Sequence, residues 1–237
     1  MKRVQHGQAL TEYLIIMPLF FAILFSIFEF AYIYRAKASL NTATFESARA
    51  GALNNGQTTY MRDALRKGMM PLYMRGKTGA SYMTLAYGRT LADENALNFF
   101  HKTVEIISPT KAIFEKFKVQ RKTTLVNDSK DKLRWIIPND SLLLRSNKDE
   151  KIGKGKTKLN IQDANLLKIK TLWCYQLKVP FIRELLVESL SSGLFGTVSP
   201  EQRACNLMAR LGDPRLALVS HATIRMQSHV VSDGNLK

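Results

Sequence analysis

The chain has 237 residues, 46% of them hydrophobic, and its 35 Lys and Arg against 19 Asp and Glu give a formal net charge of +16 at pH 7. That apolar share excludes wholesale disorder, and the length left after a membrane span suits one soluble domain rather than two. The charge favours anionic surfaces such as lipid headgroups, nucleic acid or acidic polysaccharide, without choosing among them.

The first element in chain order is the run Tyr13 to Tyr34, which contains one charged side chain, Glu29. At about 1.5 Å per helical residue it reaches roughly 33 Å, enough to cross a bilayer core. Pro18 removes one backbone donor and can bend the helix, a defect that neighbouring turns absorb locally. A carboxylate inside such a span costs on the order of 3 kcal/mol, so Glu29 calls for a partner. It reads as a contact to a polar group of a partner span, or as a carboxylate near the outer headgroups, or as a protonated one. Lys2 and Arg3 before the span place the N-terminus in the cytoplasm and the rest of the chain outside it, a bias diluted by Arg35 and Lys37.

Past Tyr34 the stretch RAKASLNTATFESARAG keeps helix formers in place until Gly51, Asn54, Asn55 and Gly56 supply a stop. One helix is therefore expected from Gln8 to Ala50, roughly 65 Å long, followed by a head over residues 51–237. In the head, Thr59–Lys67 and Ala80–Phe100 have helical spacing, the second interrupted by Gly88. Thr103–Pro109 reads as a short strand and the following TKAIFEKF as a short helix. The lysine-rich region from Lys118 to Asn160 holds one expected strand around WIIPNDSLLL.

Two later strands are clearer. Leu167, Ile169, Thr171, Trp173, Tyr175, Leu177 and Val179 alternate with Lys168, Lys170, Gln176 and Lys178, which puts Cys174 on the lysine face. Leu218, Ala222, Ile224, Met226 and Val230 alternate with His221, Thr223, Arg225, Gln227 and His229. Long strands with one wet face belong in an antiparallel sheet, so the expected fold class is α+β: a long N-terminal helix, then a head with a small antiparallel sheet. Cys174 and Cys205 are the only cysteines. They fit one disulfide in an oxidising compartment, or two buried thiols. A disulfide requires the helical stretch Phe181–Leu211 to fold back over the lysine face.

Several motifs have plainer readings. GKGKT at Gly153–Thr157 resembles the end of a phosphate-binding loop, but Glu150 stands where its first glycine belongs and no strong strand precedes it. Lys148, Lys151, Lys154, Lys156 and Lys158 form a basic loop that could contact anionic polymer in a salt-dependent way. No aromatic residues interleave with them to stack bases, so nucleic acid is not the expected partner. His101 with Glu105, and His221 with His229, lack a third ligand for a metal. No nucleophile and base stand at recognisable spacing, and neither an enzyme nor a cofactor is expected. Ala36-Lys37-Ala38 has signal-peptidase spacing, but the apolar run before it is too long and holds Glu29.

Gly7 followed by Gln8-Ala9-Leu10-Thr11-Glu12-Tyr13 and an apolar helix resembles the processing site of type IV prepilins. The extended stretch GQALTEYLIIMPLFFAILFSIFEFAYIYRAKASLNTATFESARAG is similar to the N-terminal signature of TadE-like pilus assembly proteins of tight-adherence systems. LALVSHATIRMQS is similar to that family's closing segment. The resemblance implies a leader at residues 1–7, removed after Gly7 by a prepilin peptidase on the cytoplasmic side. It implies a minor pilin or pseudopilin of the bacterial inner membrane, with its C-terminal domain periplasmic, working with other pilins and a pilus assembly platform. Cleavage bares the amine of Gln8, and Glu12 of an adjacent subunit can neutralise it where both are shielded from water. Helix assembly would then involve Glu12, Tyr13, Pro18 and Glu29. The plainer account of Glu12 is an acidic residue favoured by the helix dipole. From another class, an uncleaved membrane-anchored adaptor with a basic domain binding nucleic acid or anionic polymer fits the same charge.

Overall fold

The 46 residues Gln8–Leu53 form a single helix, α1, in the computed structural model of the chain. The structure describes residues 8–74, 79–125, 128, 130–145, 148–152, 158–180, 182–192, 197–210, 212–232, 234 and 236. Pro18 lies inside α1 without ending it. What ends it is local chemistry. Asn55 and Gly56 take left-handed backbone angles (φ 57° and 75°), and the Gly56 amide bonds the Gly51 carbonyl five residues back at 2.9 Å. This closure satisfies carbonyls that the last turn leaves open.

Helices α2 (Thr58–Tyr73) and α3 (Ala80–Phe100) follow, then strand β1 (Val104–Ser108) and helix α4 (Lys111–Phe117). Strands β2 (Val119–Thr123) and β3 (Lys132–Ile137) form a hairpin, and the 3₁₀ turn Leu142–Leu144 comes next. The two-residue strands β4 (Glu150–Lys151) and β5 (Lys158–Leu159) precede a short helix α5 (Ile161–Ala164) and the long strand β6 (Leu166–Gln176). Helices α6 (Ile182–Ser191) and α7 (Pro200–Ala209), strand β7 (Arg215–Arg225) and strand β8 (Val230–Val231) complete the order. The sheets run β1-β6-β7, β2-β3-β8 and β4-β5. Every register that is defined is antiparallel, among them Val104↔Thr171 with Ile106↔Ile169, and Gln120↔Trp135 with Ile136↔Val231. A long apolar N-terminal helix followed by mixed helices and strands with small antiparallel sheets is the expected fold class.

Details differ for physical reasons. Gly88 leaves α3 unbroken, and α2 continues past Lys67 through Gly68 and Pro71. A glycine in a helix costs only about 1 kcal/mol, which tertiary packing offsets. The helical stretch expected over Phe181–Leu211 is two helices, α6 and α7, with Ser199 capping the second through the Gln202 amide at 3.2 Å and Pro200 in its first turn. Among its described residues the lysine-rich middle forms the short strands β2, β3, β4 and β5, where a strand around WIIPNDSLLL was expected.

By their contacts the residues form two compact units. One joins α1 up to Ala36 with Cys174–Ala217; the other joins Lys37–Trp173 with the chain from Leu218 on.

In the second unit α1 presents Leu40, Ala43, Thr44, Ser47, Ala48 and Ala52, all buried, at the three-and-four spacing of one helix face. Most of these side chains are small, and the backbones come close. A Cβ added to Gly68 of α2 would stand 2.6 Å from the Ala43 Cβ. The polar members are satisfied, Thr44 by Thr171 of β6 at 2.6 Å and Ser47 by the Met61 carbonyl at 2.8 Å. Met61, Leu65, Met69, Leu97, Ile106, Leu167, Ile169 and Trp173 fill the core, and the Trp173 indole donates to the Tyr73 hydroxyl at 3.2 Å. Glu94 is buried among them and accepts from the Arg62 and Arg66 guanidinium groups.

Candidate functional site

In the first unit α1 has two chemically different stretches. From Tyr13 to Phe28 nearly every large apolar side chain is exposed, including Ile15 at 76% and Leu19 at 65%. This is the one helix among the described residues that is long and apolar enough to cross a membrane. An exposed apolar surface of that extent on a helix is the sign of a lipid or protein neighbour. The chain therefore has the features of a single-pass membrane protein.

Glu29 is the exception on this stretch, although Phe30 beyond it is again 58% exposed. The Glu29 side chain has no exposed surface. Both carboxylate oxygens accept from the Lys178 amide at 3.2 Å, and Oε2 accepts from the Val179 amide at 2.7 Å. The reason lies in the turn that follows β6. The Leu177 amide is taken by the Pro214 carbonyl at 3.2 Å, and Pro180 has no amide to place. Lys178 and Val179 are the two donors left over, and Glu29 satisfies both. The sequence suggested a partner span, headgroups or a proton for this carboxylate; within the chain, main-chain amides 149 and 150 residues downstream hold it.

Around this contact the Lys178 ammonium lies 5.0 Å from the centre of the Tyr32 ring, a cation–π distance. The Tyr175 hydroxyl is buried without a hydrogen-bond partner among the described residues. Burial first, then the Glu29 charge and Tyr32, push its pKa up to about 12. Tyr175 therefore stays neutral across the physiological range.

Cys174, beside Tyr175, is bonded to Cys205 of α7, with Cα atoms 5.4 Å apart, within ordinary disulfide geometry. This ties α7 to the Cys174–Gln176 end of β6 on the side that Cys174 faces. Gln202, one turn before Cys205, donates to the Arg215 carbonyl at 3.0 Å and accepts from the Ala217 amide at 2.9 Å. Helix α7 is thus tied to the start of β7 as well as to β6.

The other sequence-derived residues are more scattered. Gly7 lies outside the described residues, as do Lys2, Arg3, Lys154 and Lys156. Gln8 opens α1, with Glu12 exposed just beyond its first turn, Tyr13 59% exposed, and Pro18 a turn and a half later. Lys151 and Lys158 face each other across the β4–β5 pair, an unfavourable like-charge arrangement, with Lys148 on the approach to it. Ala36-Lys37-Ala38 falls in the middle of α1 with Ala36 fully buried. His101 ends α3 while Glu105 lies on β1, so they share no helix face. Among the described residues no three His, Cys, Asp or Glu side chains gather in a metal-binding group.

Sequence reasoning missed Glu94 with Arg62 and Arg66. The signal was present: Glu94 occupies the same α3 stripe as Ala86, Thr90 and Leu97, and Arg62 and Arg66 stand four apart on α2.

Residues 7–49 match the sequence model of the TadE-like protein family, about a fifth of the chain. No curated protein and no solved structure matches the chain.

Proposed function

We propose that the chain is a minor pilin or pseudopilin of the TadE-like type, cleaved after Gly7 by a prepilin peptidase and used in building a Flp-type adhesive pilus. The observation that carries the reading is the coincidence of three features in one segment. They are the match over residues 7–49, the G-Q-A-L-T-E motif at its start, and the exposed apolar helix behind it. Its action is assembly rather than turnover. The exposed face from Tyr13 to Phe28 packs against helices of other pilins in the bacterial inner membrane.

Glu12 supplies register. A neighbour placed correctly sets the new Gln8 amine against it, while a misplaced one leaves a charge unpaired in lipid at a cost of several kcal/mol. The N-terminus is cytoplasmic and the region after the helix periplasmic, where an oxidising environment maintains the Cys174–Cys205 bond.

The test is the intact mass of the membrane-extracted chain. A mature form beginning at Gln8 is expected, with Gly7→Leu blocking maturation and Glu12→Ala permitting cleavage but lowering piliation. A chain that keeps Met1 in a peptidase-positive cell sinks the processing claim.

A further inference from the structure

The Glu29 contact fixes where lipid can lie, given the membrane-helix reading on which this step rests. Backbone that is neither helix nor closed sheet is not tolerated facing hydrocarbon, because each unpaired amide or carbonyl costs several kcal/mol there. Residues 177–180 are irregular backbone level with Glu29, their amides taken by Glu29 and Pro214, and the Lys178 side chain there is exposed and charged, so hydrocarbon at this level would face an ammonium. Hydrocarbon therefore ends no farther along α1 than about Phe28. The outer edge lies some six residues short of Tyr34, the end that hydropathy alone suggests. Counting back the roughly 20 residues that a bilayer core needs brings the inner edge to the first turn of α1.

The residues just beyond Glu29 suit a headgroup layer. Tyr32 and Tyr34 are 40% and 78% exposed, Arg35 is exposed, and Lys178 lies over Tyr32. Tyrosine and long basic side chains are enriched at that depth because each has an apolar body and a polar end. Helix α6 starts at Ile182, three residues after Val179, so its first residue stands within about 10 Å of chain from the Glu29 contact. It carries Leu185 at 61% exposure, a large apolar side chain with little protein cover.

We infer that α6 is an interfacial helix, with Leu185 entering the outer leaflet of the bilayer that α1 crosses and Tyr32, Tyr34, Arg35 and Lys178 forming a collar at the headgroups. The occupant of this surface is the lipid itself. An exposed leucine about 15 Å of chain from the Glu29 contact finds its burial there.

The full chain, reconstituted in phosphatidylcholine–phosphatidylglycerol vesicles, tests this with the photo-crosslinking residue p-benzoylphenylalanine replacing Ile23, Glu184 or Leu185 in turn. Mass spectrometry should find lipid adducts at positions 23 and 185, with the yield at 185 roughly fivefold above that at 184, which points about 100° away around the helix. Adducts at 23 with none at 185, equal yields at 184 and 185, or crosslinks from 185 to a second protein chain would overturn the inference while leaving the membrane helix intact. Absence of adducts at 23 removes the membrane reading and this inference with it. The N-terminal mass of the same sample reports processing separately.

Discussion

His229 accepts a hydrogen bond at Nδ1 from the Asn139 amide at 3.1 Å, which requires the neutral ring. Its pKa is lowered from 6.5, first by burial and further by Arg121 and Arg145, with Asp140 opposing. Since the folded pKa lies below the unfolded value, the unfolded chain binds more protons in the window between them. Stability from this group is present above about pH 6.5 and declines as pH falls through that window. Detergent-solubilised protein should lose Tm on going from about pH 7.5 to 5.5, and His229→Asn should lose less. Identical losses in the two proteins would show that His229 has no part in the acid response. The position was read from sequence as the polar side of a strand; its role depends on Asn139, 90 residues away, and spacing carries no sign of that. Glu94 teaches a related point. A buried acidic residue on an apolar helix stripe calls for a cation that reaches it, and here two part-exposed arginines do.

At the level of elements, period was the reliable signal and interruption the unreliable one. Strands β6 and β7 follow the alternation of their sequences within their bounds: Leu167 and Ile169 are buried while Leu166 and Lys168 are exposed, and Leu218 is buried while His221, Thr223 and Arg225 are exposed; the expected run to Val230 stops at Arg225, and Val230 belongs to β8 of another sheet. The alternation in β6 fails from Leu172 to Tyr175, where consecutive residues are all buried; at Cys174 the disulfide to α7 covers the face that was expected to be wet. Glycine was the other source of error, because in a helix it can mark close packing as well as an end. Gly68 is such a case. A Cβ there would stand 2.6 Å from the Ala43 Cβ and 2.8 Å from its Cα, so the whole α1 backbone has to give way. Gly68→Val should therefore destabilise the second unit by about 1–3 kcal/mol, although valine has the better intrinsic helix propensity. Urea titration of the solubilised chain measures this. A midpoint unchanged from wild type would mean that α1 and α2 do not approach as closely as the structure has them.

For the whole molecule, the sequence revealed a helix long and apolar enough to cross a membrane and a mixed α/β remainder, but not the point at which the apolar helix begins to pack on the rest of the chain. Hydropathy runs on through Phe30, Tyr32 and Tyr34 because those side chains are apolar or aromatic; the contact that holds Glu29 within the chain is made by two amides that have no side-chain signature. This has a practical consequence for any soluble fragment. A cut placed after the apolar run, giving a chain that starts at Lys37, removes Glu29 and leaves the Lys178 and Val179 amides without their acceptor. A cut at Leu24 keeps Glu29 with a turn of helix ahead of it. Hydrogen exchange on the two fragments and on the full chain in detergent distinguishes them. In the full chain and the longer fragment the Val179 amide, bonded at 2.7 Å, should exchange slowly. In the shorter fragment it should exchange at least tenfold faster, the effect of losing one charge-assisted hydrogen bond of about 1.5–3 kcal/mol. The Leu177 amide, bonded to Pro214 rather than to α1, serves as the internal reference and should slow or speed far less. Equal protection of Val179 in all three chains would mean that Glu29 does not hold the turn, and the lipid boundary drawn from it would have no support.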